Sequence, residues 1–303
     1  MSLDPSLLGH ETQPETGAVT AEDVRQFADA IGDAKPLYRD AAAAQAAGYV
    51  NIPAPPTFVT RFRVSFEEAG LDVERMQVLH GEQEYTYTRP LYVSDEMSVR
   101  NRIASLRQSA RGGMAIMTIA QLGDTTAGER IVTGKATVIV REGAPADAAS
   151  GLGATVAKAA RVPVGEPIPD LEKHVTQEQI DAYADVSGDH NPIHVNPEVA
   201  RAVGLEGTIA HGMLSMAFLG QLLTDWLVNS APKGSWLARL KVRFQGMVRP
   251  GDTLTCHGVL AQSADGKQSA NVWIDNQRGE RVITGDADLA LSSSIQASPP
   301  NFP

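Results

Sequence analysis

Phe27-Ala28-Asp29-Ala30-Ile31-Gly32-Asp33-Ala34-Lys35-Pro36-Leu37-Tyr38 recurs, at a constant offset of 156 residues, as Tyr183-Ala184-Asp185-Val186-Ser187-Gly188-Asp189-His190-Asn191-Pro192-Ile193-His194. The same offset joins Val19-Thr20 to Val175-Thr176, Gly48 to Gly204 and Ala54 to Ala210 without a gap. Further along, the order holds while the spacing drifts, as loops of unequal length require. Arg89-Pro90 answers to Arg249-Pro250, and Gly128-Glu129-Arg130-Ile131-Val132-Thr133-Gly134 to Gly279-Glu280-Arg281-Val282-Ile283-Thr284-Gly285. A period this long means two copies of a domain, not a solenoid.

Within the second copy, Thr176-Gln177-Glu178-Gln179 reads as an N-cap with a capping-box Gln, opening a helix that Gly188 can end. Pro197 to Gly204 reads as a second short helix, with Pro in its first turn and Gly past its end. Gly212 to about Leu227 is apolar on nearly every side, so this main helix must be wrapped. Alternating stretches at 236 to 248, 252 to 263, 268 to 276 and 280 to 291, separated by turn signals, supply antiparallel strands to wrap it. The first copy reads likewise, with a helix after Pro55-Pro56 and strands near 78 to 89, 96 to 107, 113 to 122 and 130 to 141. The expected fold class is therefore α+β, two helix-in-sheet units joined edge to edge.

Domain limits follow from composition. Residues 1–143 form the first domain and 170–292 the second; 144–169, rich in Ala, Gly and Pro, is read as a linker, and 293–303 as a disordered tail. Residues up to about Glu15 are also too poor in apolar side chains to order themselves. With 303 residues, 43% hydrophobic and 20% charged, the chain can bury two cores of ordinary size. The start lacks a secretory pattern and no apolar run reaches the roughly 20 residues of a membrane helix, so a soluble cytoplasmic protein is expected. A net charge of -10 argues against nucleic acid as a general partner. The lone Cys256, in an alternating segment, reads as a buried structural thiol.

The two copies differ in chemistry. The second holds a carboxylate, Asp189, and an imidazole, His194, on a Gly- and Pro-bounded turn, with His211-Gly212 at the start of the main helix. The first has Asp33, but Lys35, Tyr38 and Pro55-Pro56 stand where the second has Asn191, His194 and His211-Gly212, and Pro56 has no N–H to donate.

The run from Tyr183 to His194, followed by Ala210-His211-Gly212-Met213, resembles the hydratase-2 signature of the MaoC-like, (R)-specific enoyl-CoA hydratase and 3-hydroxyacyl-thioester dehydratase family. The first copy resembles the degenerate N-terminal hotdog of its double-hotdog members, including the stretch Ile52 to Phe58. The resemblance implies a tandem hotdog fold, each half a long central helix wrapped by a curved antiparallel sheet. It implies a lyase with one active site per chain, a dyad of Asp189 and His194 supported by Asn191, and a thioester carbonyl polarised by the N–H of Gly212. The first half would shape the acyl pocket. No cofactor is implied beyond the coenzyme A or carrier-protein pantetheine that belongs to the substrate.

Those residues suit the reaction. Hydrating a trans-2-enoyl thioester needs water at C3, a proton at C2 and stabilisation of enolate-like charge on the thioester oxygen. A carboxylate and an imidazole on one rigid turn can manage both protons, while N–H groups at a helix start face the developing oxyanion. Acid and base are not divided between Asp189 and His194 by the sequence. His211 is either a packed core histidine or a support for the site, and His190 a solvent-facing residue.

Arg239, Lys241 and Arg243 alternate with apolar residues, so a strand places three cations on one face, either a solvated surface or, with Arg249, a contact for the substrate's phosphates. His190 and His194 have zinc-pair spacing, but Pro192 lies between them and no metal is expected. A hotdog thioesterase is disfavoured because the first carboxylate of the main helix, Asp225, comes near its end. The rival from another class is a non-catalytic acyl-thioester-binding or scaffold protein. The expected partner is an acyl-CoA or acyl carrier protein thioester, with room for a homodimer.

Overall fold

Ten strands form one antiparallel sheet whose order reads the same from either end once repeat-related strands are equated. The computed structural model describes residues 4–62, 77–108, 114–141, 163–262 and 268–292. Its strands are β1 (Glu15–Ala18), β2 (Gln77–Tyr87), β3 (Glu96–Gln108), β4 (Met114–Thr125), β5 (Arg130–Arg141), β6 (Glu166–His174), β7 (Trp236–Phe244), β8 (Thr253–Gln262), β9 (Gln268–Asn276) and β10 (Arg281–Ala290). They lie in the order β1-β3-β4-β5-β2-β7-β10-β9-β8-β6. Each half contributes five, and the halves meet where β2 pairs with β7. This is the tandem hotdog, an α+β fold.

The described helices are α1 (Ala21–Ala30), α2 (Ala41–Ala46), α3 (Gln177–Ser187), α4 (Pro192–Val195), α5 (Pro197–Ala202) and α6 (Gly212–Ser230). The main helix runs one turn longer than its sequence signal and packs on β6, β7 and β8. Leu214, Met216, Phe218, Leu219, Leu222 and Leu223 are all at most 1% exposed, and each such side chain taken from water contributes on the order of 2 kcal/mol. Thr176 caps α3 by accepting the Gln179 N–H, and Gly188 ends it at φ 69°. The reciprocal arm of the expected capping box does not form, since Gln179 Oε1 is buried without a hydrogen-bond partner among the described residues.

The repeat is visible in the backbone and at the centre of the core. Gly32 and Gly188 take φ 64° and 69°, and Gly48 and Gly204 take 93° and 89°. Phe27 and Tyr183, which are counterparts, stack edge to face at 5.8 Å. One continuous core therefore serves both halves. Across the sheet junction Glu82 faces Arg243 and Glu84 faces Lys241. Arg239 reaches Glu84 at 2.7 Å and also binds Asp286, while Arg243 reaches Glu82 at 2.8 Å.

Two expectations are corrected. Residues 4–14 pack onto the first half: Leu7 packs with Ile103, Met117 and Val140, and the Glu11–Arg102 bridge precedes β1. The stretch read as linker ends early, because Glu166 already opens β6, paired with β8. Pro167 and Pro169, which suggested a connector, are tolerated there because β6 is an edge strand and needs no N–H on its open side. Residues 144–162 of the linker, the expected tail 293–303 and most of the helix expected after Pro55-Pro56 fall outside the described residues; the described start of that last stretch holds a 3-10 turn, Phe58–Arg61. No described helix is long and apolar enough to cross a membrane.

Behind β6 the sulfur of Cys256 is fully buried, and burial pushes its thiol up to about 12. Thiolate at pH 8 is then roughly one part in ten thousand, so a maleimide should label the chain only as it unfolds. Gly48 ties the halves together from the other side: Gly234 donates to Ala47 at 2.9 Å and Tyr49 donates to the Ser235 carbonyl at 2.8 Å. A Cβ on Gly48 would lie 2.4 Å from the Gly234 nitrogen, at a φ of 93°. Gly48→Ala should lower the unfolding free energy by roughly 2–4 kcal/mol in urea titration, far more than an exposed Gly251→Ala.

Candidate active site

Asp189 is held where it is by the end of α3. Gly188 turns the chain, Ser187 Oγ accepts the Asp189 N–H at 3.3 Å and donates to the Tyr183 carbonyl at 2.6 Å, and Asp189 Oδ1 faces the Asn191 N–H at 3.4 Å. Asn191 caps α4, taking the Ile193 N–H at 3.3 Å, and Pro192 sets the first turn. One turn later comes His194, 8% exposed. Five residues apart, Asp189 and His194 would not share a helix face; the Pro-bounded turn brings them together.

Each imidazole has its tautomer set by a backbone carbonyl. His194 Nδ1 lies 2.8 Å from the Ile209 carbonyl, and His211 Nε2 lies 2.8 Å from that of Asp189. A carbonyl only accepts, so those nitrogens carry the protons, and the neutral rings offer His194 Nε2 and His211 Nδ1 as acceptors. The two rings are 3.9 Å apart between centroids. Donor atoms of Asp189, His194 and His211 all lie within 4.8 Å of one another. The same spacing lies within reach of a cation, and a carbonyl-bound second nitrogen is equally a feature of metal-ligating histidines.

Gly212 opens α6, so its N–H has no preceding helical carbonyl to bind and points out of the helix start. A Cβ there would lie 3.0 Å from the Phe244 ring, which leaves glycine the residue that fits. The loop before it is tied down by Ala210 N–H to the Val248 carbonyl at 2.8 Å, and Gln177 braces the His194 carbonyl at 2.9 Å.

Asp189, Asn191, His194, His211 and Gly212 thus converge. Arg239, Lys241 and Arg243 do not join them. Leu240 and Val242 point into the core beside Phe244, so the alternating cations face the other side of the sheet. Arg239 and Arg243 are engaged with Glu84, Asp286 and Glu82, and their expected part in binding phosphate gives way to one in joining the halves. Arg249 lies beside the tethered loop, next to Val248, with Glu206 at 3.4 Å. His190 is 58% exposed. One nearby residue carries no local motif: His80 of β2, whose ring is 5.0 Å from Phe244. An isolated histidine in an apolar alternating strand was its only signal.

At the equivalent place in the first half the chemistry is closed off. Asp33 is 1% exposed and bound by Lys35 Nζ at 2.9 Å, which also takes Asp225 at 2.5 Å. Lys173 from β6 donates to the carbonyls of Ile31 and Gly32, both at 3.0 Å. Tyr38 is buried, and Tyr87 donates to the Pro56 carbonyl. A cavity of about 490 Å³, counted to its open mouth, lies among Tyr38, Ala54, Pro55, Pro56 and Trp236. It meets α6 at Thr224, roughly 18 Å along the helix from Gly212.

Comparison with known proteins adds the following. Residues 6–134 match the model of the FAS1-like dehydratase domain region, and residues 159–281 that of the MaoC like domain. A UPF0336 protein of Thermobifida fusca is 39% identical over 153 residues, 48% of this chain and 98% of the relative. A UPF0336 protein of Streptomyces coelicolor is 38% identical over 149 residues, 46% of this chain and 97% of the relative. Among solved structures, a MaoC-like dehydratase aligns with TM-score 0.78 at 24% identity, covering 95% of this chain and 99% of its own. A Mycobacterium tuberculosis protein described as a double hotdog aligns with TM-score 0.66 at 14% identity, covering 94% and 96%. At these identities the structural likeness is one of fold.

The closed first-half site makes a stability prediction. Lys35→Met leaves the buried Asp33 carboxylate without its cation and should cost roughly 3 kcal/mol of unfolding free energy in denaturant titration. Adding Asp33→Asn should recover most of that loss.

Proposed function

The chain belongs to the MaoC-like dehydratase family, and on that premise we propose that it interconverts trans-2-enoyl thioesters and (R)-3-hydroxyacyl thioesters of fatty-acid-like metabolism in the cytoplasm. The observation that carries the reading is the grouping of Asp189, His194 and His211 within 4.8 Å of one another, with Gly212 following His211 as the first residue of α6. In the hydration direction, Asp189 and His194 together hold a water and take its proton as its oxygen bonds to C3. Electrons of the double bond move toward the thioester carbonyl, whose oxygen receives the Gly212 N–H at the positive end of α6. A proton returned from the dyad to C2 completes the addition, and dehydration is the reverse.

Supporting roles follow from the contacts. Asn191 fixes the turn that carries both dyad members, and His211, hydrogen-bonded to the Asp189 carbonyl, backs the His194 ring. Arg249, the cation beside the Ala210–Gly212 loop, is assigned to a phosphate of coenzyme A or of a carrier protein's pantetheine. No cofactor or metal enters this scheme. The thioesterase reading is disfavoured by Asp225, whose carboxylate is bound to Lys35.

Loss of conjugated-thioester absorbance on addition of crotonyl-CoA and longer trans-2-enoyl-CoA substrates tests the reading. Turnover to the (R)-3-hydroxyacyl product is expected, reduced roughly 10²–10⁴-fold in kcat by Asp189→Asn or His194→Ala and unchanged after dialysis against EDTA. No turnover on any CoA or carrier-protein thioester would favour an acyl-thioester-binding protein instead, and loss on chelation would make the three donors a metal site.

A further inference from the structure

We propose that His80, from the first half, is a substrate-contacting residue of the site in the second half, hydrogen-bonding the first amide of the substrate's pantetheine arm. The inference rests on the hydro-lyase reading above.

The β2–β7 junction delivers His80 to the site. Glu82 pairs with Arg243, and the bulge between His80 and Glu82 brings the imidazole to Phe244, the next residue of β7. The two rings lie 5.0 Å apart at 55°, and one edge of the Phe244 ring is 3.0–3.3 Å from where a Gly212 Cβ would stand. His80, Phe244 and Gly212 therefore form one continuous wall.

The polar end of this wall is incomplete. His80 Nε2 is buried and has no hydrogen-bond partner among the described residues. Native interiors rarely leave such an atom unsatisfied, and a bound group is one way in which it is completed. Burial draws the His80 imidazole below the ordinary histidine range, against the opposing pull of a hydrogen bond with Gln83 and of the Asp189 charge. Near neutral pH the ring is thus uncharged, and it shares a compartment with the dyad. An uncharged imidazole matches an uncharged polar group rather than a phosphate or carboxylate.

The ligand's own chemistry identifies which group. With the thioester oxygen on the Gly212 N–H, His80 is reached through the neighbour the two share, the Phe244 ring. The next polar group of a pantetheine thioester is an amide, two methylenes beyond the sulfur, at about the distance an intervening ring occupies. Phe244 would then pack against those methylenes and His80 would meet the amide.

Three thioesters separate this role from simple packing: crotonyl-CoA, crotonyl-N-acetylcysteamine, which keeps the amide, and S-butyl crotonothioate, which lacks it. His80→Phe, which retains a ring against Phe244, should lower kcat/KM about 10-fold on the first two, mainly through KM, and leave the third unchanged. His80→Gln should recover most of the loss, with thermal midpoints of both variants near wild type. Equal losses on all three substrates, or none on any, would overturn the assignment while leaving the hydratase reading intact. Wild-type inactivity on every thioester would overturn both.

Discussion

A helix that cannot present any side to water is the constraint on which this molecule depends. α6 is apolar around its whole circumference, so β6, β7 and β8 curl over it and the first half closes against the rest, where Pro56 packs on Gly220. A helix enclosed in this way exposes its first turn only at the mouth of the enclosure. Burial of α6 and presentation of the Gly212 N–H are therefore one requirement: the packing that excludes water from the core also creates a dry, positively polarised end at which negative charge can be stabilised.

Around that end the chain uses short, rigid devices rather than long flexible ones. A left-handed glycine ends α3, an Asn cap and a Pro start α4, and backbone carbonyls fix both histidine tautomers. Each removes a rotational freedom that would otherwise have to be lost as substrate binds. The first half shows the opposite use of the same backbone. There Lys35 neutralises Asp33, Lys173 satisfies the carbonyls after α1, and the counterpart of Gly212 is a proline. The scaffold persists without the imidazole because the fold needs the turn, whereas only the proposed reaction needs the dyad.

What could be read in the sequence follows the same division. The eight long strands were visible because one face of each is buried, which forces alternation; their observed limits fall within a few residues of the alternating stretches. Asp189, Asn191, His194, His211 and Gly212 were readable because their spacing is local or anchored by the repeat. β1 and β6 were not, since β1 is almost wholly exposed and β6 carries two prolines, and an edge strand needs neither alternation nor every N–H. His80 lies 109 residues before Asp189, and only the β2–β7 pairing brings it there. The cations of β7 left two readings open for a related reason. Glu82 and Glu84 lie at matching spacing in β2, but register between distant strands is a tertiary fact, so the charge pattern read as a solvated face or a ligand contact rather than as a seam.

The stacking of Phe27 on Tyr183 has a wider consequence. Two counterparts that touch mark a pseudo-two-fold axis running through a single polypeptide. In a dimer of identical subunits every substitution is written twice, once on each side of the axis, so a change that disables one catalytic centre disables both. Fusion lifts that coupling. One lobe carries Lys35, Tyr38 and Pro55-Pro56 where the other carries Asn191, His194 and His211-Gly212, and association of the two no longer depends on concentration. Symmetry here survives as architecture after it has ceased to be a rule of inheritance.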